Sequence, residues 1–375
     1  MNDVYGNPTR RIIADGGLSS LPEIVSSFSP KRILLVLGKS SFRGSPHYAA
    51  LRKSLNSYTT RESDPVEHSP SISFVQSLWE RLRSDPYDLV IGIGGGSVID
   101  CAKAVRLLLG QTEGTLEEYV EKRREFARPG PPLIAIPTTA GTGSEVTPYS
   151  SLQTAARQKV SLTHPWIFPD IALIDPELAH SLPRYVTACS GLDALSQAIE
   201  ALWSVRHNPF SDTHAARAVS LIPDNLSRIL RNPGDRSARF AMSLASCEAG
   251  LAITYTRTTA VHAVSYPLTT FFNIPHGHAC ALTLPSFIRY NGPSLDAERG
   301  SLICQALAAA SWEEAAAKVE RLIGEAGLEK SLRRMGLTES GIEVVLENGF
   351  RSDRVINNPK KVTREDLHAI LKNIF

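Results

Sequence analysis

YDLVIGIGGGSVIDCAKAV, Tyr87 to Val105, passes from an unbroken apolar run through four glycines in five positions directly into a helix-spaced segment. An apolar run without alternation, rich in β-branched residues, predicts a strand buried on both faces, as in a parallel sheet. The helix behind it would offer unpaired N–H groups and a partial positive charge at its start. Gly94, Gly95, Gly96 and Ser97 let the backbone come close to a phosphate there, with Asp100 on the same helix as a further cofactor-side candidate. The spacing approaches G-x-G-x-x-G, with Ser97 in place of the last glycine. A tight turn is the plainer reading, but three consecutive glycines cost more backbone entropy than a turn requires.

Working outward, Arg32–Leu37 (RILLVL), Pro132–Pro137 (PLIAIP) and Ile171–Asp175 (IALID) repeat the buried-strand pattern, and Ile72–Leu82 and Val98–Leu109 are spaced as helices. Successive βα units predict a doubly wound parallel sheet over residues 1–180. A second loop, IPTTAGTGSEVTPYS (Ile136–Ser150), gathers hydroxyls at Thr138, Thr139, Thr142, Ser144 and Thr147. Alone it reads equally as a surface turn. At the same sheet edge as the glycine loop, it suggests a dinucleotide. Beyond Pro183 the texture becomes Ala- and Leu-rich (Thr187–Trp203, His214–Leu230, Arg239–Tyr266, Trp312–Ala326), which predicts an all-helical domain over residues 181–375. Asp175–Arg184, with two prolines, is the expected junction.

The 375 residues are 42% hydrophobic and 21% charged, with Lys+Arg 40 against Asp+Glu 38. Near-neutral charge without long like-charge runs excludes the electrostatic footprint of a nucleic-acid or membrane-surface binder. No stretch is long and apolar enough to be an export signal or membrane span, so a cytoplasmic protein is expected. Five scattered cysteines without a C-x-x-C pair read as reduced packing residues. Two domains also make a cleft with a small-molecule site the default expectation.

In the helical half, CSGLDALSQAIEALW places Asp193 and Gln197 four apart on one apolar helical face. A buried carboxylate needs a positive partner. TTAVHAVSYPLTTFFNIPHGHA then supplies His262, Tyr266, His276 and His278, with enough chain between His262 and His276 to end one helix and return. Single histidines are usually packing residues. Asp193 with His262 and His276, however, is an oxygen and nitrogen set suited to a divalent first-row metal.

IGGGSVIDCAK, IPTTAGTGSEVT, GLDALSQAIE and the His262–His276 segment, in this order, resemble the group III metal-dependent, or iron-containing, alcohol dehydrogenases over nearly the whole chain. The resemblance implies a dehydroquinate synthase-like fold with an N-terminal nucleotide-binding domain, a helical metal domain, and NADH- or NADPH-linked chemistry at Fe²⁺ or Zn²⁺ in the cleft. It implies Asp193, His262 and His276 as metal ligands, Gly94–Ser97 as the pyrophosphate loop and Lys159 as a cofactor contact, with dimers the common assembly. Three departures stand out. Gln197 replaces the family's ligand histidine, so it would bind more weakly or leave three ligands and water. Tyr266 replaces a proton-relay histidine and cannot shuttle protons near neutrality as readily, which leaves His278, or a ribose hydroxyl and water, as substitutes. Gly38, with Lys39 and Ser40 after it, replaces an aspartate that excludes a 2′-phosphate, which admits NADPH.

GKSSFRG, Gln197 and the following ALWS further resemble the branch of that family that reduces phosphonoacetaldehyde to 2-hydroxyethylphosphonate. The expected function is therefore a metal-dependent aldehyde reductase, with Arg257, Thr258 and Thr259 as candidates for holding a phosphonate. A simple primary alcohol, a diol or glycerol is the alternative substrate. A lyase of the same fold would show a more basic cleft. A nucleotide-binding protein without catalysis would fit the changes at Gln197 and Tyr266 but not the presence of Asp193, His262 and His276.

Overall fold

The computed structural model describes residues 6–350 and 354–375. The chain forms two compact units, one running to Thr139 and resuming over Ser144–Ala179, the other made of Ala140–Gly143 and His180–Phe375.

The first unit carries strands β1 (Arg10–Ile13), β2 (Arg32–Leu37), β3 (Thr59–Glu62), β4 (Leu89–Gly94), β5 (Leu133–Pro137), β6 (Tyr149–Gln153), β7 (Lys159–Thr163) and β8 (Ile171–Ile174). Its helices are α1 (Leu21–Ser26), α2 (Pro46–Ser54), α3 (Ile72–Leu82), α4 (Gly96–Leu109) and α5 (Leu116–Val120). Six strands make one parallel sheet in the order β1-β8-β5-β4-β2-β3, and β6 pairs with β7 as an antiparallel hairpin.

The sheet is apolar on both faces because both are covered. Along β2, Ile33, Leu35 and Leu37 pack with Leu21 and Leu51, while Leu34 and Val36 pack with Val75, Leu78 and Trp79. The four strands expected from the sequence are these buried ones. The edge strands β1 (RRII) and β3 (TTRE) and the β6–β7 hairpin carry no such run, since each is partly exposed.

From β2 the chain adds β3 on one side, and β4 then joins β2 on the other. Ligands of open α/β sheets bind at the strand ends beside such a reversal. Gly38 follows β2, Gly94–Ser97 joins β4 to α4, and Thr138 follows β5, so three neighbouring strand ends carry the candidate cofactor residues.

The second unit carries α6 (Arg184–Trp203), α7 (Pro209–Arg231), α8 (Arg236–Thr256), α9 (Ala260–Phe272), α10 (His276–Asn291), α11 (Ala297–Ala306), α12 (Trp312–Glu325), α13 (Glu339–Gly349) and α14 (Arg364–Asn373), with no strand among the described residues. Helix α6 is buried almost all round from Thr187 to Trp203 and packs against α7, α8 and α10. A helix without a polar face belongs at the centre of its domain, and the polar residues α6 does carry therefore demand partners.

The Ala- and Leu-rich stretch Arg239–Tyr266 falls on two helices, α8 and α9. Arg257 leaves the helical region with φ 56°, and the backbone N–H groups of Thr259 and His262 turn to the carboxylate of Glu200 on α6, at 2.9 and 3.2 Å. A buried carboxylate at a helix start satisfies orphan N–H groups and meets the positive end of the dipole, so α9 begins where Glu200 places it. Among the described residues no helix is long and apolar enough to cross a membrane.

Candidate metal centre and nucleotide loop

Three helices converge on one group of side chains. Asp193 comes from the middle of α6, His262 from the first turn of α9 and His276 from the first position of α10. Asp193 Oδ1 lies 3.3 Å from His262 Nε2 and 3.7 Å from His276 Nε2. The first pair is within contact yet not aligned as a hydrogen bond, and Asp193 Oδ1, His262 Nε2 and Gln197 Oε1 are all buried without a hydrogen-bond partner. Orphaned polar atoms cost far more buried than paired, and a cation between Asp193 Oδ1 and His262 Nε2, 3.3 Å apart, would satisfy both. Gln197 lies one turn beyond Asp193 on α6, and its amide oxygen is a neutral donor.

Other groups fix these ligand candidates. Glu200 Oε2 takes His262 Nδ1 in a short contact, and Ser265 Oγ lies 3.2 Å from His276 Nδ1. Each ring then presents Nε2 to the cluster. Thr259 Oγ1 donates to Glu200 Oε1 and accepts from Trp203 Nε1. Burial opposes a charge on His262, but the neighbouring Cys280 and Glu200 together with the Asp193 contact hold its pKa well above the usual histidine value. Tyr266 stacks on His276 with centroids 5.8 Å apart, and the guanidinium of Arg354 lies 5.0 Å over the Tyr266 ring. Burial raises the Tyr266 hydroxyl, against the opposing charge of Arg354, so the ring is a neutral donor near pH 7.

Gly277 explains the close fit of α10 on α6: a Cβ there would stand 2.0 Å from the carbonyl oxygen of Cys189 and 3.1 Å from Asp193 Cβ. The same register turns His278 elsewhere. Its Nδ1 meets the Tyr185 hydroxyl at 3.1 Å and its Nε2 the carbonyl of Glu329 at 2.7 Å, and it does not join the ligand group. Of the residues suggested for phosphonate binding, Thr259 is committed to Glu200 and Trp203. Thr258 leaves its hydroxyl buried without a partner, and Arg257 sits in the strained link between α8 and α9 rather than a helical turn before His262.

In the first unit, a Cβ on Gly94 would lie 2.6 Å from Val98, so packing of α4 onto β4 already demands glycine there. Around Gly95 the nearest side chain, Thr139, would be 3.6 Å away, and no neighbour in the chain demands glycine. Its bare backbone at the start of α4, with no side-chain cap, suits a phosphate. Ser97 Oγ accepts from the Ser69 N–H at 3.1 Å, and the Thr138 N–H donates to the Gly94 carbonyl at 3.0 Å.

Asp100, Ser144 and Thr147, expected beside the cofactor, are spent inside the unit. Ser144 Oγ donates to Asp100 Oδ1 at 2.5 Å, and the Ser151 N–H reaches Asp100 Oδ2 at 3.0 Å. Lys103 Nζ, fully buried, donates to Ser144 Oγ, Thr147 Oγ1 and the Tyr149 carbonyl at 2.9, 3.1 and 2.8 Å. Burial lowers Lys103 to about 8 and raises Glu145 beside it to about 7. Lys159 opens β7, close enough for its charge to act on Asp100 and His68. Lys39 and Ser40 are exposed, Lys39 3.9 Å from Glu67, whereas Arg43 is drawn to Glu62 and the Gly38 carbonyl. Thr142 falls in the short piece of the loop that counts with the second unit.

The sequence profile of the iron-containing alcohol dehydrogenases matches residues 8–176, and that of the family's C-terminal domain matches residues 187–375. The chain belongs to the iron-containing alcohol dehydrogenase family. It is 34% identical over 361 residues to a phosphonoacetaldehyde reductase of Streptomyces viridochromogenes, covering 91% of this chain and 89% of that one. It is 36% identical over 304 residues to a long-chain-alcohol dehydrogenase of Geobacillus thermodenitrificans, covering 78% and 76%. The solved sulfoacetaldehyde reductase of Bifidobacterium kashiwanohense, in complex with NAD⁺, superposes with a TM-score of 0.92 at 31% identity, covering 100% and 99% of the two chains.

As a member of the iron-containing alcohol dehydrogenase family, the chain is an NAD(P)-dependent oxidoreductase of alcohols and aldehydes that works with a divalent metal. Four residues of its sites carried no signal strong enough in the sequence. Glu200 stands seven residues after Asp193 on the same face of α6, a spacing that could have found it. Cys280, read as packing, is one turn beyond His276 and joins the ligand group. Lys103 lies on the helix after the glycine loop, and nothing in its spacing shows that it is buried among Ser144, Thr147 and Tyr149. Arg354 reaches Tyr266 from a distant part of the chain, which no local pattern reveals.

Proposed function

We propose that this dehydrogenase reduces a short aldehyde carrying an anionic head group, with phosphonoacetaldehyde the leading substrate. The observation that carries this reading is Arg354, a guanidinium held over Tyr266, which in turn stacks on His276. A guanidinium beside the ring that stacks on His276 suits a substrate that carries an anion as well as the carbonyl. Two of the similar proteins bear names for aldehydes of that kind, one a phosphonate and one a sulfonate.

Asp193, His262 and His276 would hold the divalent ion, with Gln197 one turn beyond Asp193 on α6. When bound, the ion supplies Lewis acidity at the carbonyl oxygen and NAD(P)H supplies the hydride. Glu200 and Ser265 keep the two imidazoles in the ligating orientation. Tyr266, neutral at the pH of the reaction, donates a hydrogen bond beside His276 and orients the substrate end. His278 is engaged by Tyr185 and the Glu329 carbonyl, and would not be the group that supplies a proton to the product. Gly94–Ser97, with Thr139 beside Gly95, would hold the cofactor pyrophosphate with Lys159 nearby, and Lys39 and Ser40 would accept the 2′-phosphate of NADPH.

The test is steady-state oxidation of NADH and NADPH with phosphonoacetaldehyde, sulfoacetaldehyde, acetaldehyde and glycolaldehyde, for the parent and Arg354→Met. Loss of a charge-assisted contact of about 1.5–3 kcal/mol predicts a KM for phosphonoacetaldehyde higher by about 10- to 150-fold, with acetaldehyde unchanged. Parent rates equal for charged and uncharged aldehydes would overturn the anionic reading and favour a simple alcohol or diol, the substrates in the names of other relatives.

A further inference from the structure

Gln197 leaves the proposed metal centre one imidazole short of the family's usual set, and the structure brings a sulfur to it. Cys280 follows His276 by one turn of α10 and is fully buried. Its Sγ lies 4.0 Å from His276 Nε2, and the ligand atoms of Asp193, His262, His276 and Cys280 all lie within 4.8 Å of one another. Donors on one tetrahedral ion, at about 2.0 Å for nitrogen and about 2.3 Å for sulfur, stand about 3.5 Å apart. The Cys280–His276 pair closes to that spacing with about 0.5 Å of side-chain adjustment, and the widest pair of the group with at most about 1.3 Å. The buried, unpartnered Asp193 Oδ1 and His262 Nε2 of the same group mark independently that this place takes a ligand.

We propose that Cys280 is the fourth protein ligand of the metal, giving one carboxylate, two imidazoles and one thiolate. The inference rests on the metal centre of the proposed function. Thiolate is soft, so this set favours Zn²⁺ over harder divalent ions. The thiol loses its proton to solvent on binding, and with Asp193 it brings two negative charges against the ion's two positive ones. Gln197 is thereby released from ligation and can hydrogen-bond a water or the substrate instead. Cys189, Cys101 and Cys247 are also buried, but none of them belongs to the ligand group.

The experiment is titration of the chelator-treated full chain with Co²⁺, followed by absorption. One equivalent should produce visible d–d bands together with a thiolate-to-cobalt charge-transfer band in the near ultraviolet. Cys280→Ser should lose the charge-transfer band, keep the d–d bands and bind Zn²⁺ at least tenfold more weakly, with Mn²⁺ affinity little changed. Cys189→Ser should retain the full spectrum. Should Cys280→Ser fail to fold, zinc-edge absorption fine structure of the Zn²⁺-loaded parent decides the matter by one sulfur at about 2.3 Å. One equivalent of bound Co²⁺ without the band, a band that survives Cys280→Ser, or a zinc shell without sulfur overturns the thiolate ligand and leaves the metal centre standing. No stoichiometric binding of Co²⁺ or Zn²⁺ by the parent overturns the metal centre itself, and Cys280 with it.

Discussion

At the scale of single residues, the second unit turns on Glu200. It is fully buried on an apolar helix, and its carboxylate receives the Thr259 N–H and hydroxyl, the His262 N–H and the His262 ring. One side chain thus starts α9 and sets the tautomer and direction of a candidate ligand histidine. Glu200→Gln keeps the volume but loses the charge that orients the imidazole and raises its basicity. Zn²⁺ affinity should fall by about 10- to 100-fold, the usual cost of losing such a partner. Isothermal titration of the variant checks this, and an unchanged affinity would mean that the carboxylate serves only the helix start. Asp193, His262 and His276 were readable from residue type and spacing because few other reasons put a carboxylate and two imidazoles into apolar helices. Glu200 sat in the same stretch unread, since its role needs a partner some sixty positions away.

At the scale of elements, α4 shows how one segment serves two ends. Its N-terminus follows the glycine loop, and its body is tied to the next loop and to β6 through Asp100 and Lys103. The strand, glycines and helix were legible because local chemistry dictates them: a buried parallel strand must be apolar and a helix must start after it. The destination of the hydroxyls was not. Ser144 and Thr147 looked as suited to a cofactor as to a buried lysine, and only the placement of the 3₁₀ turn Ser144–Val146 against α4 decides between them. Glu145 in that turn is held at about 7 by burial, against the pull of Lys103. A raised carboxyl pKa means that the folded state keeps its proton longer than the unfolded chain. The stability this contributes is complete below about 4.5 and is lost as pH rises through about 7, up to about 3 kcal/mol. Glu145→Gln should therefore gain on the parent between pH 5 and pH 7.5 in urea unfolding midpoints. Parallel curves for the two proteins would place the titration elsewhere. Lys103, lowered to about 8, has the opposite slope, with stability rising between pH 8 and 10.5.

At the scale of the whole molecule, the two units divide the chemistry. The ligand group Asp193, His262, His276 and Cys280 lies entirely in the second unit, and the glycine loop in the first. A ligand that binds only the folded form protects the elements it touches. Hydrogen exchange should therefore slow in α6, α9 and α10 on adding Zn²⁺, and around β4, the glycine loop and the start of α4 on adding NADPH. Protection by Zn²⁺ confined to the first unit would displace the metal centre from where the side chains place it.

Read as a chain of letters, this protein already determined its fold class, its glycine loop and three candidate metal ligands that the fold brings together. Those features are written in burial periodicity and in residue types whose presence inside an apolar segment has few explanations. Edge strands, the break between α8 and α9, the withdrawal of His278, the inclusion of Cys280 and the approach of Arg354 to Tyr266 were decided only by the tertiary structure. Each depends on which side chains distant segments bring within a few ångströms, and contact at that range is fixed by packing rather than by local spacing.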